Sequence, residues 1–135
     1  MINIKIVPND VSTVAKVVLF DEKDRMLFLK RSKYVEKHSG EWDLPGGHLK
    51  ANENLESGLK REVKEESGID IDDITFVKKI GNLHFFYAKY NSQPVKLSYE
   101  HVDYKFFTKN ELDKSEKFQN VALEALELKN DKHFS

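Results

Sequence analysis

The chain contains no cysteine, and that absence removes disulfides, thiol nucleophiles and cysteine-bound zinc together. Apolar runs are short, and none is long enough to cross a bilayer. The first ten residues, "MINIKIVPND", lack a basic stretch followed by an apolar one, so no leader is expected and the chain reads as cytoplasmic. Neither sign of charge dominates: 22 Lys and Arg against 23 Asp and Glu give a net charge of −1. Without a basic face, stable DNA binding is not expected. A small phosphorylated ligand needs only a local site and stays open.

What is present suits one globular domain over residues 1–135, with 39% hydrophobic and 33% charged residues. A chain of this length buries roughly 70% of its extended surface and needs no covalent staple. The β-branched run 12–20, the turn "DEKDR" and the run 26–31 predict a hairpin. Residues 32–43 read as an exposed loop closed by the turn "LPGG". A helix is predicted over 54–67, with Asn52 or Asn54 as its cap and Gly68 ending it. Strands are expected at 73–80, 84–90 and 104–108, with 91–103 as a loop. An amphipathic helix from about 116 to 129 closes the chain, its stripe made by Phe118, Val121, Ala122 and Ala125. The order is that of an α/β domain.

The segment "REVKEES", residues 61–67, sets three glutamates at the C-terminal end of the first helix. The helix dipole disfavours anions there, and like charges at i,i+4 disfavour them further. At about 100° per residue, Leu55, Leu59 and Val63 trace the apolar stripe. Glu62 falls beside Leu55, Glu66 between Leu55 and Leu59, and Glu65 one step further round. Lys60, Lys64 and Glu56 take the far side. A merely solvated acidic face would have the opposite phase. Two compensations remain: nearby lysines or arginines, or a hard divalent cation such as Mg²⁺ or Mn²⁺.

The glutamates belong to a longer string, "GHLKANENLESGLKREVKEESGI", from Gly47 to Ile69. It matches every defined position of the pattern GX5EX7REUXEEXGU, with Val63 and Ile69 at the aliphatic places. On this motif the chain resembles the Nudix hydrolases, in particular the compact MutT-like members. The order of elements is similar across nearly the whole chain. One departure is Gly58, where many members carry alanine.

The resemblance implies an α/β/α sandwich with a mixed sheet and a catalytic loop-helix-loop. It implies Mg²⁺ or Mn²⁺ held by Glu62, Glu65, Glu66 and the Gly46 carbonyl, with Gly46 and Gly47 against the substrate. Glu53 and Arg61 resemble the supporting pair, Glu53 sometimes reaching a metal through water. The implied reaction is attack of a metal-activated water on a nucleoside diphosphate linked to X, giving a nucleoside monophosphate and phosphorylated X. The general base varies in the family: a box glutamate such as Glu65, or a carboxylate outside the box, for which Glu100 and then Asp103 are the candidates. Arg31 is a candidate phosphate clamp. His48 and His101 read as structural or solvated, and Trp42 as core.

The compact size favours a (deoxy)nucleoside triphosphate, canonical or oxidised. ADP-ribose, dinucleoside polyphosphates and capped RNA are alternatives, decided by loops 32–43 and 91–103. Phe85, Phe86, Tyr87 and Tyr99 are candidates to stack on a base. A non-catalytic nucleotide sensor would be expected to have a broken box, and an isopentenyl-diphosphate type isomerase would need a cysteine. The chain is expected to be a monomer or a homodimer.

Overall fold

The computed structural model describes residues 12–133 except 34 and 36. The two ends of the domain expected over 1–135, and those two positions of the expected loop 32–43, lie outside the described residues.

Strand β1 (Val14–Phe20) is buried along its whole length, which requires cover on both faces. Because successive side chains alternate, Ala15, Val17 and Leu19 join one apolar cluster and Val18 and Phe20 another. Leu27, Leu29, Phe86, Leu59 and Val63 share the first cluster. Met26, Phe28, Phe85, Val121, Ala122 and Ala125 share the second. Leu59 and Val63 belong to helix α1 (Leu55–Ser67), and the residues from Val121 on belong to helix α2 (Lys117–His133). One helix therefore covers each face of the sheet, the expected α/β/α sandwich.

Strands β2 (Met26–Arg31), β3 (Trp42–Asp43), β4 (Gly46–His48), β5 (Thr75–Ile80), β6 (Leu83–Lys89) and β7 (His101–Phe107) complete the sheet. Its order is β3-β2-β1-β6-β5, with β4 also on β1 and β7 on β2. The β1–β6 pair is parallel and the others are antiparallel, so the sheet is mixed. No helix among the described residues is long and apolar enough to cross a membrane.

Several expectations need correction. The 12–20/26–31 hairpin is reduced to a single rung, Phe20↔Met26. Beyond it the strands splay, and β3 and β4 take the freed edges of β2 and β1. The stretch "LPGG" is thus more than a turn: it bridges the wedge, and Gly46 and Gly47 pair as strand with Lys16 and Ala15. The loop 91–103 ends early, because His101 already pairs with Arg31 and opens β7. Asp103 therefore sits in a strand. The closing helix runs four residues past 129, and a 3-10 turn at Lys109–Glu111 precedes it.

Candidate active site

Helix α1 starts where Asn54 Oδ1 accepts the Ser57 N–H at 2.8 Å and stops at Gly68, whose φ of 76° favours glycine. Its last carbonyls are not left open. Lys96 N–H donates to Ser67 O at 2.8 Å and Ser98 N–H to Glu66 O at 3.1 Å. Segment 96–98 thereby satisfies the helix end that carries the glutamates, and Glu100 follows two residues later. The wheel phase holds: Glu66 is 6% exposed, Glu62 half-buried and Glu65 exposed.

Arg61 supplies the local compensation for two of the three. Its Nη1 lies 3.1 Å from Glu62 Oε2 and 3.1 Å from Glu65 Oε1. The rest of the guanidinium holds Glu53, Nε to Oε2 at 2.7 Å and Nη2 to Oε1 at 2.9 Å, and reaches the His48 carbonyl at 3.2 Å. The fork of Arg61 against Glu53, helped by the Lys50 N–H, lowers the Glu53 carboxyl to about 2. Glu53 in turn raises the pKa of Arg61. Glu62 is pushed up, first by burial and further by the nearby charges of Glu65 and Glu100.

Glu66 stands outside that cluster. Its Oε1 accepts the Gly46 N–H at 2.9 Å. Burial drives its pKa up to about 8, more than Lys16 and the Gly46 N–H pull it down. The approach depends on the glycines. Gly46 has φ 132°, and a Cβ there would run into the Ala15 carbonyl, while a Cβ on Gly47 would collide with the Glu62 carboxylate. Gly58, deep in α1, packs against Leu49 so closely that a Cβ would lie 2.5 Å from Leu49 Cγ.

The sequence reading missed Lys16 and Asp43. Lys16 is only 7% exposed, and its Nζ donates to Asp43 Oδ1 at 3.0 Å, Leu44 O at 3.1 Å and Gly46 O at 3.2 Å. Asp43 Oδ2 meets Arg31 Nη1 at 3.3 Å and His101 Nε2 at 3.2 Å. Burial would raise the Asp43 carboxyl, but Lys16 and His101 outweigh it and hold it at about 2. A lysine inside a strand that is otherwise wholly apolar is the one signal that pointed here. The Gly46 carbonyl expected to face a metal thus already accepts a hydrogen bond from an ammonium group.

Most of these groups line one cleft of about 550 Å³. Its acidic members are Glu41, Asp43, Glu62, Glu65, Glu66, Glu100 and Glu116, and its cationic members Lys16, Arg31, Lys37 and Lys117. Gly46, Gly47 and His48 lie on its surface, and Val14, Leu83 and Phe118 give it an apolar stretch. Of the residues singled out from sequence, the cleft gathers Glu62, Glu65, Glu66, Glu100, Arg31, Gly46 and Gly47; Glu53 adjoins it through Arg61. Asp103 is exposed on β7 and does not line it. His101 is buried on Asp43, a structural place. Trp42 packs edge-on against Phe107 at 5.3 Å, as core. The proposed stacking residues are elsewhere: Phe85 and Phe86 are core, Tyr87 packs on Phe20, and Tyr99 lies outside the cleft. The aromatic side chain that does line it is Phe118. Among the described residues, no three acidic or histidine side chains form a ready metal cage.

Comparison with known proteins follows the same lines. Residues 11–131 match the model of the NUDIX domain. A MutT-like protein of Streptomyces ambofaciens is 42% identical over 69 residues, covering 50% of this chain and 41% of that protein. An 8-oxo-dGTP diphosphatase of Proteus vulgaris is 33% identical over 70 residues, 51% of this chain and 61% of that protein. The matched stretches thus span less than two thirds of these relatives. The crystal structure of a MutT protein from Methanosarcina mazei Go1 superposes with a TM-score of 0.66 at 28% identity, covering 88% of this chain and 94% of that one. A family model that spans nearly the whole chain, with an intact box on the helix it requires, makes this protein a member of the Nudix family.

Proposed function

We propose that the chain is a Mg²⁺- or Mn²⁺-dependent pyrophosphohydrolase that cleaves a nucleoside diphosphate linked to X, with a (deoxy)nucleoside triphosphate as the favoured substrate class. The observation that carries this reading is one cleft combining carboxylates, cations and an apolar stretch, the three chemistries a metal-bound nucleotide demands. The name of the Proteus vulgaris relative adds an oxidised guanine nucleotide as the first substrate to try.

Glu62, Glu65 and Glu66 are the residues that would hold the cation, with the free lone pair of the Gly46 carbonyl beside them. Their donor set is hard oxygen without thiol or imidazole, and Mg²⁺ keeps several waters and asks little of the protein, so a preformed cage is not required. The chemistry a bound cation would supply there is Lewis acidity toward a water molecule and the phosphate oxygens. Arg61 keeps Glu62 and Glu65 in place while Glu53 keeps Arg61 in place. Lys16 and Arg31, both tied to Asp43, present positive charge to the phosphates. Glu100 lies in the same cleft, near enough to Glu62 to raise its pKa, and is the proton acceptor we assign to the attacking water. Phe118, with Val14 and Leu83, offers the base an apolar surface.

The test is a panel of canonical and oxidised deoxynucleoside triphosphates, ADP-ribose, dinucleoside polyphosphates and capped RNA, scored by kcat/KM with and without Mg²⁺ or Mn²⁺. Release of a nucleoside monophosphate only with metal is expected. Glu65→Gln should lower kcat by about 100-fold or more while the circular dichroism spectrum is unchanged. No turnover on any member, or a fully active Glu65→Gln chain, sinks the proposal.

A further inference from the structure

Strand β7 has one satisfied side and one open side. Its inner edge pairs with β2 from Met26↔Phe107 to Arg31↔His101, and no described strand pairs with its outer edge. The Tyr104 N–H points outward: it bonds Asp103 Oδ1 at 2.8 Å and takes no part in the β2 ladder. Such an edge is a template for another strand. The side chains along it are unusual for an edge that water alone covers. Val102 is 59% exposed and Tyr104 44%, and Tyr104 meets the partly buried Phe106 edge-on at 6.4 Å. Asp103 and Lys105, both exposed, alternate with them and so project to the other face.

We propose that β7 is a homodimer interface, pairing antiparallel with β7 of a second copy about a two-fold axis at Tyr104. The charges select the register. An axis at Asp103 would set two aspartates opposite each other, and an axis at Lys105 would do the same to two lysines. Like charges directly opposed across a ladder are destabilising. With the axis at Tyr104, each Asp103 instead faces the Lys105 of the other copy, twice by symmetry. The same register stacks Tyr104 on its symmetry mate and Phe106 on Val102, so the apolar row is covered as well. The outward Tyr104 N–H passes from the Asp103 carboxylate to the second copy's Tyr104 carbonyl, which frees Asp103 for the cross-strand lysine. The exposed Lys105–Glu111 pair at 2.9 Å is the contact given up, and a solvated pair of that kind holds little free energy.

Pairing ends at Val102, the extra residue where β7 bulges against the Lys30/Arg31 step of β2. A contact this short makes a dimer that depends on concentration, unlike the large interface of an obligate one. The interface is independent of the hydrolase reading, since neither Asp103 nor Lys105 lines the cleft.

Sedimentation velocity of the full chain, from micromolar to near-millimolar, tests the interface. Wild type should pass from monomer to dimer across that range. Asp103→Lys and Lys105→Asp should each weaken association by about tenfold or more. An equimolar mixture of the two variants should dimerise again, because every cross-strand pair is then of opposite charge. The double swap D103K/K105D restores both pairs within one sequence and should dimerise like wild type. A monomer at every concentration overturns the proposal. So does either single variant associating like wild type, or a wild-type dimer that neither the mixture nor the double swap restores.

Discussion

Glu66 is a carboxyl group that this fold prefers neutral. Its native pKa of about 8 lies above the ordinary value of 4.5, so between those pH values the native chain binds more protons than the unfolded one. Stability therefore falls as pH rises through that window. In the absence of divalent cations, Glu66→Gln keeps the acceptor for the Gly46 N–H and should remove the slope, raising Tm at pH 8 by roughly 3–8 °C in a thermal melt. Asp43 has the opposite sign. Held at about 2 against an ordinary 3.8, it adds stability above that ordinary value and loses it as pH drops through about 2. Lys16→Met leaves that buried carboxylate short of a partner, at an expected cost of about 3–5 kcal/mol in urea unfolding. Adding Asp43→Asn to Lys16→Met should recover most of the loss, as removing both charges of a buried pair usually does.

At the scale of elements, helix α1 was legible because its signals are local. Asn54, the Leu55–Leu59–Val63 spacing and Gly68 all lie within the helix or beside it, and the glutamate that the wheel sets between Leu55 and Leu59 is the buried one. Lys16 and Asp43 stand 27 residues apart, and nothing local says that they meet. The splay of β1 from β2 escaped for the same reason: a short connection between two β runs reads as a hairpin unless other strands compete for their edges. β7 starts early because Asp43, on another strand, accepts from His101. The Gly58 departure also gains a reason, since the room an alanine methyl would need is taken by Leu49. Element β4 carries a test of its own. Gly47 has no positive φ, so alanine there strains only the Glu62 carboxylate that it would touch. Gly47→Ala should melt within a few degrees of wild type yet lose about tenfold or more in kcat by displacing Glu62.

For the whole molecule, the Nudix architecture turns on strand β1. It borders β2, β4 and β6 and gives side chains to both apolar clusters, while Lys16, its third residue, lines the cleft. The strand is thus the place where global unfolding and site occupancy are felt together. Its amides should be the last to exchange with deuterium, opening only when the whole chain unfolds. A ligand that binds the native state alone must slow the same amides by its full binding free energy. Exchange rates at Val17 and Val18, followed by NMR as Mg²⁺ and a nucleotide are added, would report cleft occupancy from the centre of the sheet without any turnover being measured.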